Sequence, residues 1–151
     1  MKKFVFTLLL VFVCHLGYAQ SINGLFNEFG SEKNADCVKV SSFMMSLGKM
    51  FAGHDEDAKI IRKIKSIKVL DLESCTASVK ERFNKKVNKL NLKGYDELMR
   101  VNDEGEKVRV LMKTKKETIR ELLFVCTGKE DCTLVQINGK FTKEDIDKLV
   151  N

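Results

Sequence analysis

Hydrophobic and polar positions in the second half of the chain alternate as they do in β-strands joined by short turns. Residues 95–101 and 108–112 are predicted to form one hairpin around the polar turn 102–105, with Val108, Val110 and Met112 on one face. A second hairpin is predicted from residues 119–126 and 134–137. Because residues 122–125 are apolar on both faces, their strand is expected to lie inside the sheet.

The remaining apolar positions follow a helical period. The clearest helix is predicted over residues 76–92, and shorter ones over 22–29, 43–51 and 55–64. A last helix follows Thr142, with Asp145 placed three residues on as in a capping box. Short strands are predicted at 37–40 and 67–72.

This order of elements predicts an α+β fold. Successive strands joined by short turns imply a largely antiparallel sheet that ends in a C-terminal four-strand meander. We expect the helices to pack on one face of that sheet.

The first nineteen residues have the pattern of a secretory signal peptide. Lysines at 2 and 3 precede an apolar run over 4–13, and 17–19 form a small-x-small cleavage site. The run is too short to span a bilayer. We therefore predict cleavage after Ala19, a single domain over 20–151 with no transmembrane segment, and a location in the periplasm or at the cell surface. Val13 before Cys14 does not suit a lipoprotein cleavage site, so a lipid anchor is not favoured.

Charge narrows the classes of partner. Without Lys2 and Lys3 the chain has 25 basic and 21 acidic residues, a net charge of +4. This mild excess, in an exported protein, argues against nucleic acid as the partner. Apolar residues make up 44% of the full chain and charged residues 32%, which is typical of a globular domain.

Four cysteines follow the leader, and in an oxidising compartment they favour disulfides. Four cysteines allow three connectivities. Cys126 and Cys132 are symmetric about the second hairpin turn and are predicted to form a cross-strand bridge, with Cys37 and Cys75 as the second pair. The alternative is buried free thiols.

The second half of the chain also resembles a known family. The resemblance is carried by residues 94–101, Ile119, 121–123, 134–139 and 145–146. They are similar to small exported proteins of Bacteroides-type bacteria that are known only as a domain of unknown function. The likeness extends over about residues 25–149. It implies a single α+β domain in a Gram-negative envelope and assigns no site residue.

One flank of the predicted helix 76–92 is strongly basic. On a helical wheel it collects five cations beside the apolar stripe: Arg82, Lys85, Lys86, Lys89 and Lys93. Such a flank could bind an anionic lipid or an acidic glycan. The alternative is a solvated helix face.

The sequence shows no pattern for catalysis or for a cofactor. After the leader there is one histidine, His54, and no Cys-x-x-Cys or nucleophile elbow, so neither a catalytic residue nor a metal ligand is assigned. We predict a non-enzymatic domain that binds another envelope protein. The alternatives are a polyanion or lipid-surface binder through the basic helix, and a small hydrolase with an unrecognised site.

Overall fold

The computed structural model describes residues 21–42 and 56–150. Their helices are α1 (Ile22–Phe29), α2 (Glu56–Lys63), α3 (Ala77–Asn88) and α4 (Lys143–Val150). Their strands are β1 (Asp36–Val40), β2 (Ile64–Asp71), β3 (Tyr95–Asp103), β4 (Glu106–Lys115), β5 (Thr118–Thr127) and β6 (Thr133–Phe141). The predicted leader and the predicted helix 43–51 lie outside the described residues.

The six strands form one antiparallel sheet in the order β1-β2-β6-β5-β4-β3. Strands β3 to β6 are neighbours in chain order, which confirms the four-strand meander. A two-residue turn joins β3 to β4, and its residues Glu104 and Gly105 both have positive φ. This backbone twist suits a tight hairpin, and glycine adopts it without a steric penalty.

The helices cover both faces of the sheet, so the prediction of helices on one face is wrong for half of them. Leu122 and Leu123 are consecutive in β5 and therefore point to opposite faces. Leu123 belongs to the core under α1 and α3. Leu122 belongs to a second core, which also contains Ile146 of α4. Ile60 of α2 packs against this second core. The apolar run over 122–125 reflects this burial on both sides.

The larger core lies between the sheet and the helices α1 and α3. Phe29 of α1 meets Phe83 of α3 edge to face, with ring centroids 5.3 Å apart. Both side chains are fully buried, together with Leu70 of β2 and Leu134 of β6 in the same core. The apolar stripe of α3 that the sequence predicts is thus the side facing the sheet.

The opposite face carries an apolar row that crosses all six strands. The paired positions in this row are Val38, Val69, Val135, Phe124, Val110 and Met99. Its two ends are the most accessible, with 54% of Val38 and 42% of Met99 exposed. The helices α2 and α4 pack on this face at the neighbouring row that contains Leu122.

Helix ends follow the local chemistry. The Thr142 hydroxyl accepts a hydrogen bond from the Asp145 backbone, and the Asp145 carboxylate accepts one from Thr142 N–H at 2.8 Å, which confirms the predicted capping box. Helix α3 begins after Thr76 but ends at Asn88, four residues before its predicted end. The chain then turns, and Leu90 and Leu92 still pack against the larger core.

Candidate anion-binding site

A cleft lies where the end of α3 passes over β3, β4 and β5. Two rows of the sheet form its floor: Arg100, Arg109 and Val125 in the first, and Asn102, Lys107 and Thr127 in the second. Val87 and Asn88 of α3 form the wall above them. The cavity measures about 120 Å³, slightly less than a protein cavity that holds one benzene molecule. It can therefore hold one small charged group or one ring rather than a large ligand.

Glu97 holds the two arginines of the cleft in place. Arg100 donates from Nε and Nη2 to the two carboxylate oxygens, at 2.7 and 2.9 Å. Arg109 donates from Nε and Nη2 to one of the same oxygens, at 2.9 and 2.7 Å. Each guanidinium has five N–H donors, so each keeps three beyond these contacts. We call this arrangement the Glu97 clamp.

A β-bulge makes the Glu97 clamp possible. Side chains three residues apart on a regular strand point to opposite faces, so Glu97 and Arg100 would not meet. In β3 the register shifts between Glu97 and Met99, which leaves Leu98 without a paired position. The extra residue turns the Glu97 side chain to the face of the sheet that carries Arg100. Bulges often redirect a side chain in this way near functional sites.

The clamp keeps its charges over a wide pH range. Hydrogen bonds from Arg100 and then from Arg109 lower the pKa of Glu97 to about 2. The hydrogen bond to Glu97 in turn raises the pKa of Arg100. The carboxylate therefore stays ionised at any physiological pH, and both guanidinium groups stay fixed beside the cleft.

The electrostatics of the cleft favour an anion. Arg100, Arg109 and Lys107 contribute three positive charges, and Glu97 removes one. The carboxyl end of α3 adds roughly half a negative charge, which weakens but does not cancel the excess. None of the residues that line the cavity is acidic. Fixed guanidinium groups match carboxylate and phosphate oxygens well, so the cleft is a candidate anion site.

The predicted basic flank of α3 is divided by its contacts with α1. Lys86 contacts Glu28 at 2.5 Å, and Arg82 pairs with Glu28 and Glu32. Arg82 also lies over the Phe29 ring, 5.2 Å from its centroid. Among the described residues the other three cations of the flank have no ion-pair partner: Lys85, Lys89 and Lys93. Two of the five predicted binding residues thus join two helices.

The four described cysteines are free thiols, so neither predicted disulfide is present. Cys126 pairs with Thr133 across the hairpin, and Cys132 therefore lies one position away and faces the other side of the sheet. Cys132 is buried, and its Sγ lies 3.3 Å from the Asn84 side-chain oxygen. Burial raises the pKa of Cys75, Cys126 and Cys132, which disfavours the reactive thiolate. The alternative of buried thiols holds for Cys75 and Cys132.

A second polar cluster lies on the same face of the sheet as the cleft, and both carboxylate oxygens at its centre have hydrogen-bond partners. Glu121 and Gln136 are both buried, and the Gln136 amide donates to one Glu121 oxygen. The Tyr95 hydroxyl donates to the other. Burial, and then the contact with Glu121, raise the pKa of Tyr95. With both carboxylate oxygens engaged, this group acts as a structural link between β3, β5 and β6.

The described ranges 21–42 and 56–150 contain neither a metal-binding cluster nor a membrane-spanning helix. No group of three or more His, Cys, Asp or Glu side chains there is placed to hold a metal ion. No helix there combines the length and the apolar composition needed to cross a membrane.

The residues of the cleft are not among those that the sequence predicts as a site. The alternation over 107–112 points away from them, since it groups Val108, Val110 and Met112 on one face and leaves Lys107 and Arg109 on the more polar one. The bulge at Leu98 carries no signal either, because nothing in residues 95–101 distinguishes a regular strand from a bulged one.

Comparison with known proteins gives one match. A family model described as a domain of unknown function, DUF4252, matches residues 29–149. No curated protein and no solved structure matches this chain. The predicted resemblance to a family of unknown function is thereby confirmed, while the bacterial origin and the export of the chain remain predictions.

Proposed function

The chain belongs to the DUF4252 family of domains of unknown function, and we propose that it is an exported, non-enzymatic binding domain that recognises an anionic group of another envelope component. The binding site in this proposal is the cleft of Arg100, Arg109 and Lys107. The observation that carries it is the Glu97 clamp, which fixes two guanidinium groups beside an open cavity without filling that cavity.

The proposal places the anion at the cleft rather than on the basic flank of α3. On the flank, Arg82 and Lys86 are engaged by Glu28 of α1 and by Glu32 just after it, and the remaining lysines are separate and exposed. In the cleft, by contrast, three cations converge and two are held by hydrogen bonds. A site with fixed donors loses less side-chain entropy when it binds an anion.

The experiment is a titration of the purified protein with inorganic phosphate. Binding is monitored through the amide chemical shifts in two-dimensional NMR spectra. We expect the largest shifts in residues 87–88, 100–102, 107–109 and 125–127. The variant Arg100→Gln/Arg109→Gln should bind about tenfold more weakly or worse, because hydrogen bonds to charged groups are among the strongest in proteins. Binding should also weaken as NaCl is raised.

The matched control is Lys85→Gln/Lys89→Gln, which removes two positive charges from the exposed flank of α3. This variant should keep the affinity of the wild type, since its lysines are not part of the cleft. If the lysine variant loses binding and the arginine variant keeps it, the basic flank is the site and the cleft is not. Thermal melts of both variants show whether either change unfolds the domain.

The proposed location has its own test. A chain exported as proposed should be recovered from the periplasm or the cell surface, with Gln20 as its first residue. Fractionation of cells that express the full chain with a C-terminal tag, followed by mass determination, measures both. Recovery of the uncleaved chain from the cytoplasm would contradict the export part of the proposal without affecting the cleft.

A further inference from the structure

The cleft contains a second set of groups that a bare anion does not need. Asn88, Asn102 and Thr127 line the same cavity as the cations. Among the described residues their side chains have no hydrogen-bond partner in the protein. Each amide offers both donors and acceptors, and the hydroxyl offers one donor and two acceptor lone pairs. These neutral groups therefore surround the cationic floor with unused hydrogen-bonding capacity.

The position of these groups extends the site sideways from the arginines. Asn102 is paired with Lys107, and Lys107 with Thr127, in the row next to that of Arg100 and Arg109. Asn88 lies above the floor at the end of α3. If the anionic group of a ligand binds the two arginines, the uncharged part of that ligand lies within reach of the two amides and the hydroxyl.

The remaining lining is apolar. Val87 and Val125 are both buried and form part of the wall and of the floor. The complete cleft therefore offers fixed cations, neutral groups that both donate and accept, and a small apolar patch. A hydroxylated ring with C–H groups on its faces and a charged substituent matches all three, whereas inorganic phosphate uses the cations and the donors of the neutral groups but has no surface for the apolar patch.

On this basis, and resting on the proposed function above, we infer that the ligand is an acidic sugar, meaning a sugar residue that carries a carboxylate or a phosphate. The anion binds at Arg100 and Arg109, and the sugar hydroxyls exchange hydrogen bonds with Asn88, Asn102 and Thr127. The cavity is too small for a whole oligosaccharide, so one residue of an acidic glycan enters it.

The experiment compares each acidic sugar with the bare anion that it carries. D-glucuronate is titrated against acetate, and glucose 1-phosphate against inorganic phosphate, with glucose as the uncharged control. We expect the acidic sugar to bind about five to tenfold more tightly than its bare anion, since each added neutral hydrogen bond contributes modestly. If only one of the two acidic sugars binds more tightly than its bare anion, that pair identifies the anionic group of the ligand as a carboxylate or a phosphate.

Two variants test the role of the amides. In Asn88→Ala/Asn102→Ala the ratio between the affinities for glucuronate and acetate should fall towards one. The control Lys85→Gln should leave that ratio at the wild-type value. Equal affinities for sugar and bare anion in the wild type would overturn this inference and leave the proposed anion site standing. If no anion binds at all, both proposals fail.

Discussion

The ammonium group of Lys63 lies 2.6 and 2.7 Å from the two carboxylate oxygens of Asp145, and so joins the end of α2 to the first turn of α4. Asp145 also accepts the hydrogen bond of Thr142 N–H. Burial by itself would raise the pKa of Asp145, but the bonds from Lys63 and Thr142 outweigh it and hold the pKa below its usual value. One carboxylate thus caps a helix and links two helices on the less covered face of the sheet.

Replacing Asp145 with alanine should lower the free energy of unfolding by about 1 to 2 kcal/mol at pH 7, since it removes a capping acceptor and an ion pair. A group with a depressed pKa stabilises the fold above its unfolded pKa, near 3.8, and loses that effect as the pH falls through the lower folded value. The difference between wild type and variant should therefore shrink below pH 4. Urea unfolding at pH 7 and at pH 3 measures it.

The exposed Asp147 on the same helix provides the control for that experiment. Asp147→Ala removes the same charge but no cap, and should change stability by less than about 0.5 kcal/mol. Equal losses for the two alanine variants would show that net charge, and not the contacts of Asp145, sets the effect.

The cysteines should behave as four independent thiols. Cys132→Ala should cost about 1 kcal/mol, because it leaves a small void in the larger core, while Cys126→Ala should cost less. A reductant should leave the unfolding curve of the wild type unchanged. A Cys126–Cys132 disulfide would instead make the two substitutions equally costly, at about 2 to 5 kcal/mol, and would make stability sensitive to reductant. Denaturant unfolding with and without reductant distinguishes these outcomes.

The period of apolar residues predicted most elements of the fold, because burial imposes that period directly. The stripe of Val79, Phe83 and Val87 identified α3, and alternation identified both hairpins. The same pattern does not show which face of the sheet a helix covers, since an apolar stripe is the same on either side. The clue was the run over 122–125, whose burial on both faces requires elements on both sides.

The candidate site was harder to predict than the fold. Arg100 and Arg109 are directly paired, and this follows once the turn at 104–105 fixes the register. The Glu97 clamp does not follow, because it depends on the unpaired Leu98. Basic residues on a helix are easy to see in a sequence, whereas a cleft lined by β3, β4 and β5 needs the register of all three strands. That is why the helix flank was predicted and the cleft was not.

Anion binding in the cleft should depend little on pH when the anion itself does not titrate. Sulfate is fully ionised between pH 4 and 7, and the pKa of Glu97, about 2, lies below this range. The affinity for sulfate should therefore change by less than about twofold over it. Glucuronate should bind more weakly once its own carboxylate is protonated. A steep rise in sulfate affinity below pH 5 would instead reveal a carboxylate of ordinary pKa facing the cleft.

The turn between β4 and β5 stores strain that a single substitution should release. Lys116 and Glu117 form this two-residue turn with φ of 50° and 66°, a left-handed conformation that costs a side chain about 1 to 2 kcal/mol. Glu117→Gly should remove this cost at one position, and the greater freedom of glycine in the unfolded chain offsets part of the gain. We expect the free energy of unfolding to rise by about 0.5 to 1 kcal/mol. Gly105→Ala, at φ 88° in the β3–β4 turn, should have the opposite sign. Chemical denaturation of both variants measures the two effects, and a loss of stability in Glu117→Gly would show that the turn is not strained at this position.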